Sequence, residues 1–347
     1  MKITAAVVEE QGGPFVLRER ELGELHDDEV LVEVAASGIC HTDLICRDQW
    51  IPVPLPAVLG HEGAGVVTAV GGAVTTVAVG DRVAMSYDSC GACPRCRGGN
   101  AAYCDEFFAY NFAGRSFFGQ SSFATHSVAR ERNVVKLDDS VPLAVAAPFG
   151  CGIQTGAGAD LNVLQPEPGS TVAVFGAGAV GLAALLAARL AGCGTIVVVD
   201  RRASRLELAR ELGATHVVDA SQEDPVEAIR ALGGADRSLE ATGSPQALRA
   251  AVDCLAPVGV CGIVGAPALG TEVSLDVNHV MTAGRVVRGI VEGESVPQEF
   301  VPRLVDLWRR GEFPVDRFMA YYDFDQIERA ARDAEDGVVV KPVLRMH

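Results

Sequence analysis

Four cysteines within fifteen residues, Cys90-x2-Cys93-x2-Cys96-x7-Cys104, carry the plainest chemistry in this chain. Four thiolates so close, in a loop containing Gly and Pro, can close a tetrahedron around zinc with no position left for a substrate. Such a site is structural, and the regular spacing weighs against a set of unmetallated surface thiols. A second donor set is dispersed. Cys40 in Gly38-Ile39-Cys40-His41-Thr42-Asp43, His61 in Gly60-His61-Glu62-Gly63 and Cys151 in Gly150-Cys151-Gly152 supply two thiolates and one imidazole. Those are the donors of a tetrahedral zinc with one open position. They lie up to 111 positions apart, and spacing alone does not separate them from buried thiols and a core histidine.

A third pattern is Gly176-Ala177-Gly178-Ala179-Val180-Gly181. Alone it is weak in a glycine-rich chain. Here it follows an apolar strand, opens an apolar helix, and precedes a second strand that ends at Asp200, nineteen residues past Gly181. That is the context a dinucleotide fingerprint requires. The glycines let backbone N–H groups and the helix dipole meet a pyrophosphate. Asp200 can accept hydrogen bonds from ribose hydroxyls and would repel a 2′-phosphate, which favours NAD; Arg201 and Arg202 soften this, since a nearby arginine can accommodate NADP.

The elements that position these groups divide the chain. Residues 1–150 read as strands at Ile3–Val8, Val30–Ala36 and Gly65–Val70, and Pro52, Pro54 and Pro56 exclude a helix before Gly60. After the proline-rich joint at 165–169 the rhythm changes. Strands are expected at 171–175, 195–199, 216–218, 237–241, 258–264 and 286–290. Helices are expected at 180–191, at 204–212 with Ser204 as N-cap and Glu207 in the capping-box position, and at 245–255. Strands alternating with helices mean a parallel, doubly wound sheet. A net charge of −16 argues against a nucleic-acid partner. No apolar run has signal-peptide or membrane-spanning character, so a cytoplasmic protein with no membrane partner is expected. Ten cysteines in a reducing compartment point to metal or catalysis before disulfides.

Taken together, the Cys40, His61 and Cys151 segments and the four-cysteine lobe resemble the zinc-dependent medium-chain alcohol dehydrogenases over nearly the whole chain. The resemblance implies an α/β protein with two domains. A GroES-like, partly open β-barrel would comprise 1–152 and 291–347, and a Rossmann domain 153–290. It implies two zinc ions, one catalytic and one structural, with NAD as cofactor. A small alcohol or aldehyde would be the substrate and a homodimer or homotetramer the assembly. Glu62 would sit close to the catalytic metal, and Asp43 would orient the His61 imidazole, although a loop-capping role for Asp43 stays open. Thr42 would start a proton relay through the nicotinamide ribose. The relay usually ends on a histidine three positions on, where this chain has Ile45. Family position places His41 and Lys341 near the pyrophosphate, Arg205 at the ribose, and Thr155 and Val264 near the nicotinamide. Six aromatics between Phe107 and Phe118, read as loop, suggest with Trp50 and Ile51 an apolar pocket. The segments 118–124 and 289–297 resemble the benzyl (aryl) alcohol dehydrogenase branch, a pattern that geraniol dehydrogenases largely share.

Overall fold

The computed structural model of the protein describes residues 1–346. They form two compact units, Met1–Gly152 with the chain from Val296 onward, and Ile153–Ser295.

In the first unit, Val30, Val32, Val34 and Ala36 point inward while Glu33 stays exposed, the period-two pattern of a half-buried strand. This strand, Glu29–Gly38, is the hub of a seven-stranded sheet. Its spatial order is Met319–Asp323, Lys341–Arg345, Glu29–Gly38, Glu62–Val70, Arg82–Met85 and Val134–Lys136, with His126–Arg130 also pairing the hub. A second sheet joins Val16–Glu21, Lys2–Val8 and Ala57–Val58. The strand expected at 65–70 begins three residues earlier, at Glu62. His61 therefore stands at a strand entry, held by main-chain pairing on one side.

The second unit is a six-stranded parallel sheet, ordered His216–Asp219, Thr195–Asp200, Thr171–Phe175, Ala235–Glu240, Leu255–Ile263 and Val286–Gly289. Numbered along the chain this is 3-2-1-4-5-6, the doubly wound dinucleotide-binding order. The reversal falls between Thr171–Phe175 and Ala235–Glu240, so their carboxyl ends open a crevice at Gly176 and Ala241. The helix Ala179–Leu190 buries Gly181 to Ala188 without interruption, as the apolar run 181–188 requires, and leaves Arg189 exposed.

Four details differ from the sequence reading. The helix expected from Ser204 runs Ala203–Leu212, with Arg202 at the N-cap and no side-chain cap bond. The reason is Asp200, whose carboxylate takes the Arg201 and Arg202 N–H groups and turns the chain early. Phe107–Asn111 is a short helix, not loop. Helices at Pro225–Ala231 and Val277–Thr282 were not anticipated; each starts at an aspartate, Asp224 or Asp276, that caps the following N–H groups. The closing segment contributes helices Pro297–Arg309 and Ile327–Glu335 and two strands of the first unit's sheet.

Candidate metal centres and dinucleotide site

Cys40 precedes the helix His41–Arg47, and Asp43 in its first turn is fully buried. One Asp43 oxygen accepts the Cys40 N–H at 2.8 Å; the other accepts the Gly60 N–H at 3.0 Å and binds His61 Nδ1 at 2.8 Å. Asp43 thus caps a turn and orients the imidazole, and the two roles are one set of bonds. Gly60 has φ +88°, and a Cβ there would lie 2.5 Å from Phe123, so only glycine permits this entry to His61. Cys151 follows the turn Ala147–Gly150, which Ser86 holds through the Gly150 carbonyl at 2.6 Å.

These segments bring ligand atoms of Cys40, His61, Glu62 and Cys151 within 4.8 Å of one another. With Nδ1 engaged by Asp43, the ring presents its Nε2, which is buried and has no hydrogen-bond partner. An orphaned imidazole nitrogen beside two thiols is what a zinc site leaves when its donors alone are considered. The Cys40 thiol is held well below its ordinary value, first by hydrogen bonding with Cys151 and then, against burial, by the charges of Lys341 and His61. The donor set fits zinc.

Glu62 is the fourth member and is already engaged. Its oxygens accept Lys341 Nζ at 2.9 Å each, and one also accepts the Gly152 N–H at 3.0 Å. Lys341 gives its remaining N–H to the Ile39 carbonyl at 3.1 Å and is 2% exposed. Burial disfavours the ammonium, but the charges of Glu62 and Cys40 keep it protonated. All three of its donors are committed, which leaves none for the pyrophosphate contact that family position implied. His41 is exposed at the start of its helix, and Thr42 Oγ1 lies 3.8 Å from Cys40 Sγ. Ile45 is 2% exposed.

The sulfurs of Cys90, Cys93, Cys96 and Cys104 also lie within 4.8 Å of one another, with Cys93–Cys96 at 3.5 Å and Cys90–Cys96 at 3.9 Å. Thiolates at about 2.3 Å from a tetrahedral zinc would be about 3.8 Å apart, so the cluster has the right size. Backbone N–H groups already aim at it, from Cys93 to Cys90 Sγ, Cys96 to Cys93 Sγ, and Cys90 and Glu106 to Cys104 Sγ. Bonds from Asp105 and Cys96 bring the Cys93 thiol down to about 6, whereas burial pushes Cys104 up to about 12. None of the ten cysteines, all among the described residues, is in a disulfide.

In the second unit, Gly176 turns at φ +101°, and a Cβ on Gly181 would lie 1.8 Å from the Gly176 carbonyl. Gly178 caps the helix Ala179–Leu190 and faces open space, so the helix N-terminus, with half-buried Val180 in its first turn, is accessible to an anion. Asp200 closes the second strand, with its carboxylate accepting the Ala177, Arg201 and Arg202 N–H groups at 2.7, 2.7 and 2.9 Å. Arg205 is half-buried with Nε unpartnered, and burial lowers its pKa against the pull of Asp200. Val264 follows the strand Leu255–Ile263 and donates to Glu240. Thr155 donates to the buried Glu292 carboxylate at 3.3 Å, beside Gln154 at 3.2 Å.

Sequence reasoning named Phe118 in an aromatic cluster and Gln120 in the 118–124 segment but joined neither to His61. Gln120 is 1% exposed and bonds the His61 carbonyl and the Gly63 N–H; Phe118 stacks on the His61 ring. Their signal was present as an aromatic cluster next to a buried amide, but nothing local joins it to His61. An open cavity of about 640 Å³ in the first unit is lined by Val53, Pro56, Tyr110, Phe112 and Phe117; none of the metal-ligand candidates lines it.

Comparison with known proteins agrees with both halves. Residues 26–139 match the alcohol dehydrogenase GroES-like domain, and residues 179–309 match the zinc-binding dehydrogenase domain. A geraniol dehydrogenase of Castellaniella defragrans is 45% identical, over 98% of this chain and 96% of that protein. An alcohol dehydrogenase zinc-binding domain protein of Burkholderia ambifaria has a solved structure at 50% identity and TM-score 0.98, covering 100% of this chain and 99% of that one. The benzyl alcohol dehydrogenase of Acinetobacter calcoaceticus is 48% identical at TM-score 0.98, over 100% of both chains. With its GroES-like and Rossmann-type halves, this chain belongs to the zinc-binding medium-chain alcohol dehydrogenase family.

Proposed function

We propose that the chain is an NAD-linked alcohol dehydrogenase with two zinc ions, interconverting primary aromatic or allylic alcohols and their aldehydes. The observation that carries this is the convergence of Cys40, Cys151 and an unpartnered His61 Nε2 around one point. Cys40, His61 and Cys151 would hold the catalytic ion, with Glu62 beside it, and Cys90, Cys93, Cys96 and Cys104 the structural one. Bound there, zinc supplies a Lewis acid that lowers the pKa of a coordinated oxygen towards neutrality.

The protein's own groups do the rest. Asp43 fixes the imidazole so that Nε2 faces the donors. Thr42 takes the alcohol proton and passes it on towards ribose hydroxyls. Buried Ile45 holds no base, so water or buffer completes the relay. The N-terminus of Ala179–Leu190 takes the pyrophosphate, with His41 a further contact. Asp200 and Arg205 take the ribose, and Thr155 and Val264 the nicotinamide. NAD is favoured because Asp200 opposes a 2′-phosphate. The substrate class rests on the aryl-alcohol pattern at 118–124 and 289–297, and on relatives that act on geraniol and benzyl alcohol. A cytoplasmic homodimer or homotetramer is part of the same proposal.

A kinetic panel tests it: benzyl alcohol, cinnamyl alcohol, geraniol and ethanol, each with NAD and NADP. The first three should exceed ethanol in kcat/KM by at least about tenfold, the low end of what a methylene-scale difference in an apolar pocket supplies. Ethanol as the best substrate would overturn the substrate class.

A further inference from the structure

The segment 117–123 belongs to neither metal site, yet it grips the stretch that carries His61. Ser121 Oγ donates to the Val58 carbonyl at 2.7 Å, the Phe123 N–H to Leu59 at 3.0 Å and the Ser122 N–H to Gly60 at 2.9 Å. Gln120 continues the contact, donating to the His61 carbonyl at 2.9 Å and accepting the Gly63 N–H at 3.0 Å. The Phe118 ring stacks on the imidazole at 4.5 Å and 28°, with Phe117 edge-on at 5.5 Å. Phe118 and Ser121 have φ of +52° and +51°. Residues other than glycine hold that conformation only where their surroundings over-determine it.

The other end of this strap meets the four-cysteine lobe. Phe118 packs edge-on against Phe107 at 6.4 Å, and the Phe107 N–H donates to the Cys104 carbonyl at 2.9 Å. Asn111, on the same short helix as Phe107, pairs its amide with the N–H and carbonyl of Asp88, two residues before Cys90. Gly119 lies so near Asp88 that a Cβ would come within 2.8 Å of the Asp88 Cβ. Both flanks of the lobe therefore bear on the strap, and the strap bears on His61.

We propose that Phe107 and Phe118 are positioning residues through which the filled four-cysteine lobe sets the His61 imidazole, raising the metal affinity of the Cys40–His61–Cys151 site. The inference rests on the two-metal reading above. Lobe occupancy fixes Cys104 and the turn into Phe107; Phe107 limits where Phe118 stands; Phe118 limits the tilt of the ring it stacks on. The coupling is reciprocal, so an ion in the second site favours metal in the lobe. Its size is bounded by the aromatic contacts, each corresponding to roughly three- to tenfold in an equilibrium constant.

The test uses Co2+ as probe, titrated into the second site and followed by thiolate-to-cobalt absorption. In the wild-type background, Cys93→Ser should weaken Co2+ at Cys40–His61–Cys151 by about three- to tenfold. In a Phe107→Ala background the same lobe change should have no further effect. If Cys93→Ser does not fold, Phe107→Leu and Phe118→Leu serve with the lobe zinc retained. They should weaken Co2+ to the same degree and shift its ligand-field band, which a loss of stability alone would not do. Equal weakening with and without Phe107, or an unshifted band at unchanged affinity, overturns the proposal. No thiolate band in the wild type would overturn the metal reading beneath it, and the proposal with it.

Discussion

Lys341 Nζ stands 2.9 Å from both carboxylate oxygens of Glu62, and both side chains are essentially out of solvent. They are 279 positions apart, joined because the strands that begin at Glu62 and Lys341 both pair the hub strand Glu29–Gly38 at Gly38 or its neighbours. The pair lies against Cys40 and Cys151, so its charge balance is part of the candidate metal site.

Removing one partner of such a pair leaves a buried charge with no compensation. Lys341→Met should cost about 3–5 kcal/mol in unfolding free energy by urea denaturation. The double variant Lys341→Met with Glu62→Gln should recover much of it, since neither residue then carries a charge. A single-variant loss below about 1 kcal/mol, the scale of an exposed pair, would mean that Glu62 simply takes up a proton.

Asp200 should decide cofactor choice. A like-charge contact with a 2′-phosphate costs several kcal/mol, so NAD should exceed NADP in kcat/KM by at least about a hundredfold. Asp200→Gly should narrow that ratio, with Arg201 and Arg202 free to hold the phosphate. It should also lower the melting temperature, because three N–H groups lose their acceptor. Equal use of both cofactors by the wild type would show that the arginines already prevail.

How much of this was legible follows from distance along the chain. The four-cysteine lobe and the glycine turn before Asp200 are local motifs, and both read correctly as clusters and as a strand–turn–helix. The Cys40, His61 and Cys151 set needs three separate segments to meet, so only resemblance suggested it before the structure brought the atoms together. The Lys341–Glu62 pair has no local signal, and nothing local joins the aromatic cluster containing Phe118 to His61. The helix start at Ala203 was misplaced because Asp200, outside the assumed cap, takes the Arg201 and Arg202 N–H groups and turns the chain early.

Asp160 offers a test in the second unit. Its carboxyl is completely buried, neither oxygen has a partner, and burial pushes its pKa up to about 8. An aspartate in the unfolded chain titrates near 3.9, so between about pH 4 and 8 the folded state binds the extra proton. Stability therefore falls as pH rises through this window, by up to about 1.4 kcal/mol per unit from this group. Asp160→Asn removes the titration, so its stability relative to wild type should climb from pH 5 to pH 8. Parallel stability profiles for the two proteins would show that Asp160 does not titrate in that window.

The most direct test of the central claim counts zinc and turnover in the same samples. Wild type should hold two ions per chain and reduce NAD with benzyl alcohol. Cys40→Ser and Cys151→Ser should stay folded with about one ion and lose turnover, because only the open site does chemistry. Cys104→Ser should lose stability first, since structural zinc contributes to folding. Active wild-type protein without zinc, or a Cys40→Ser variant that turns over at the wild-type rate, would contradict the account.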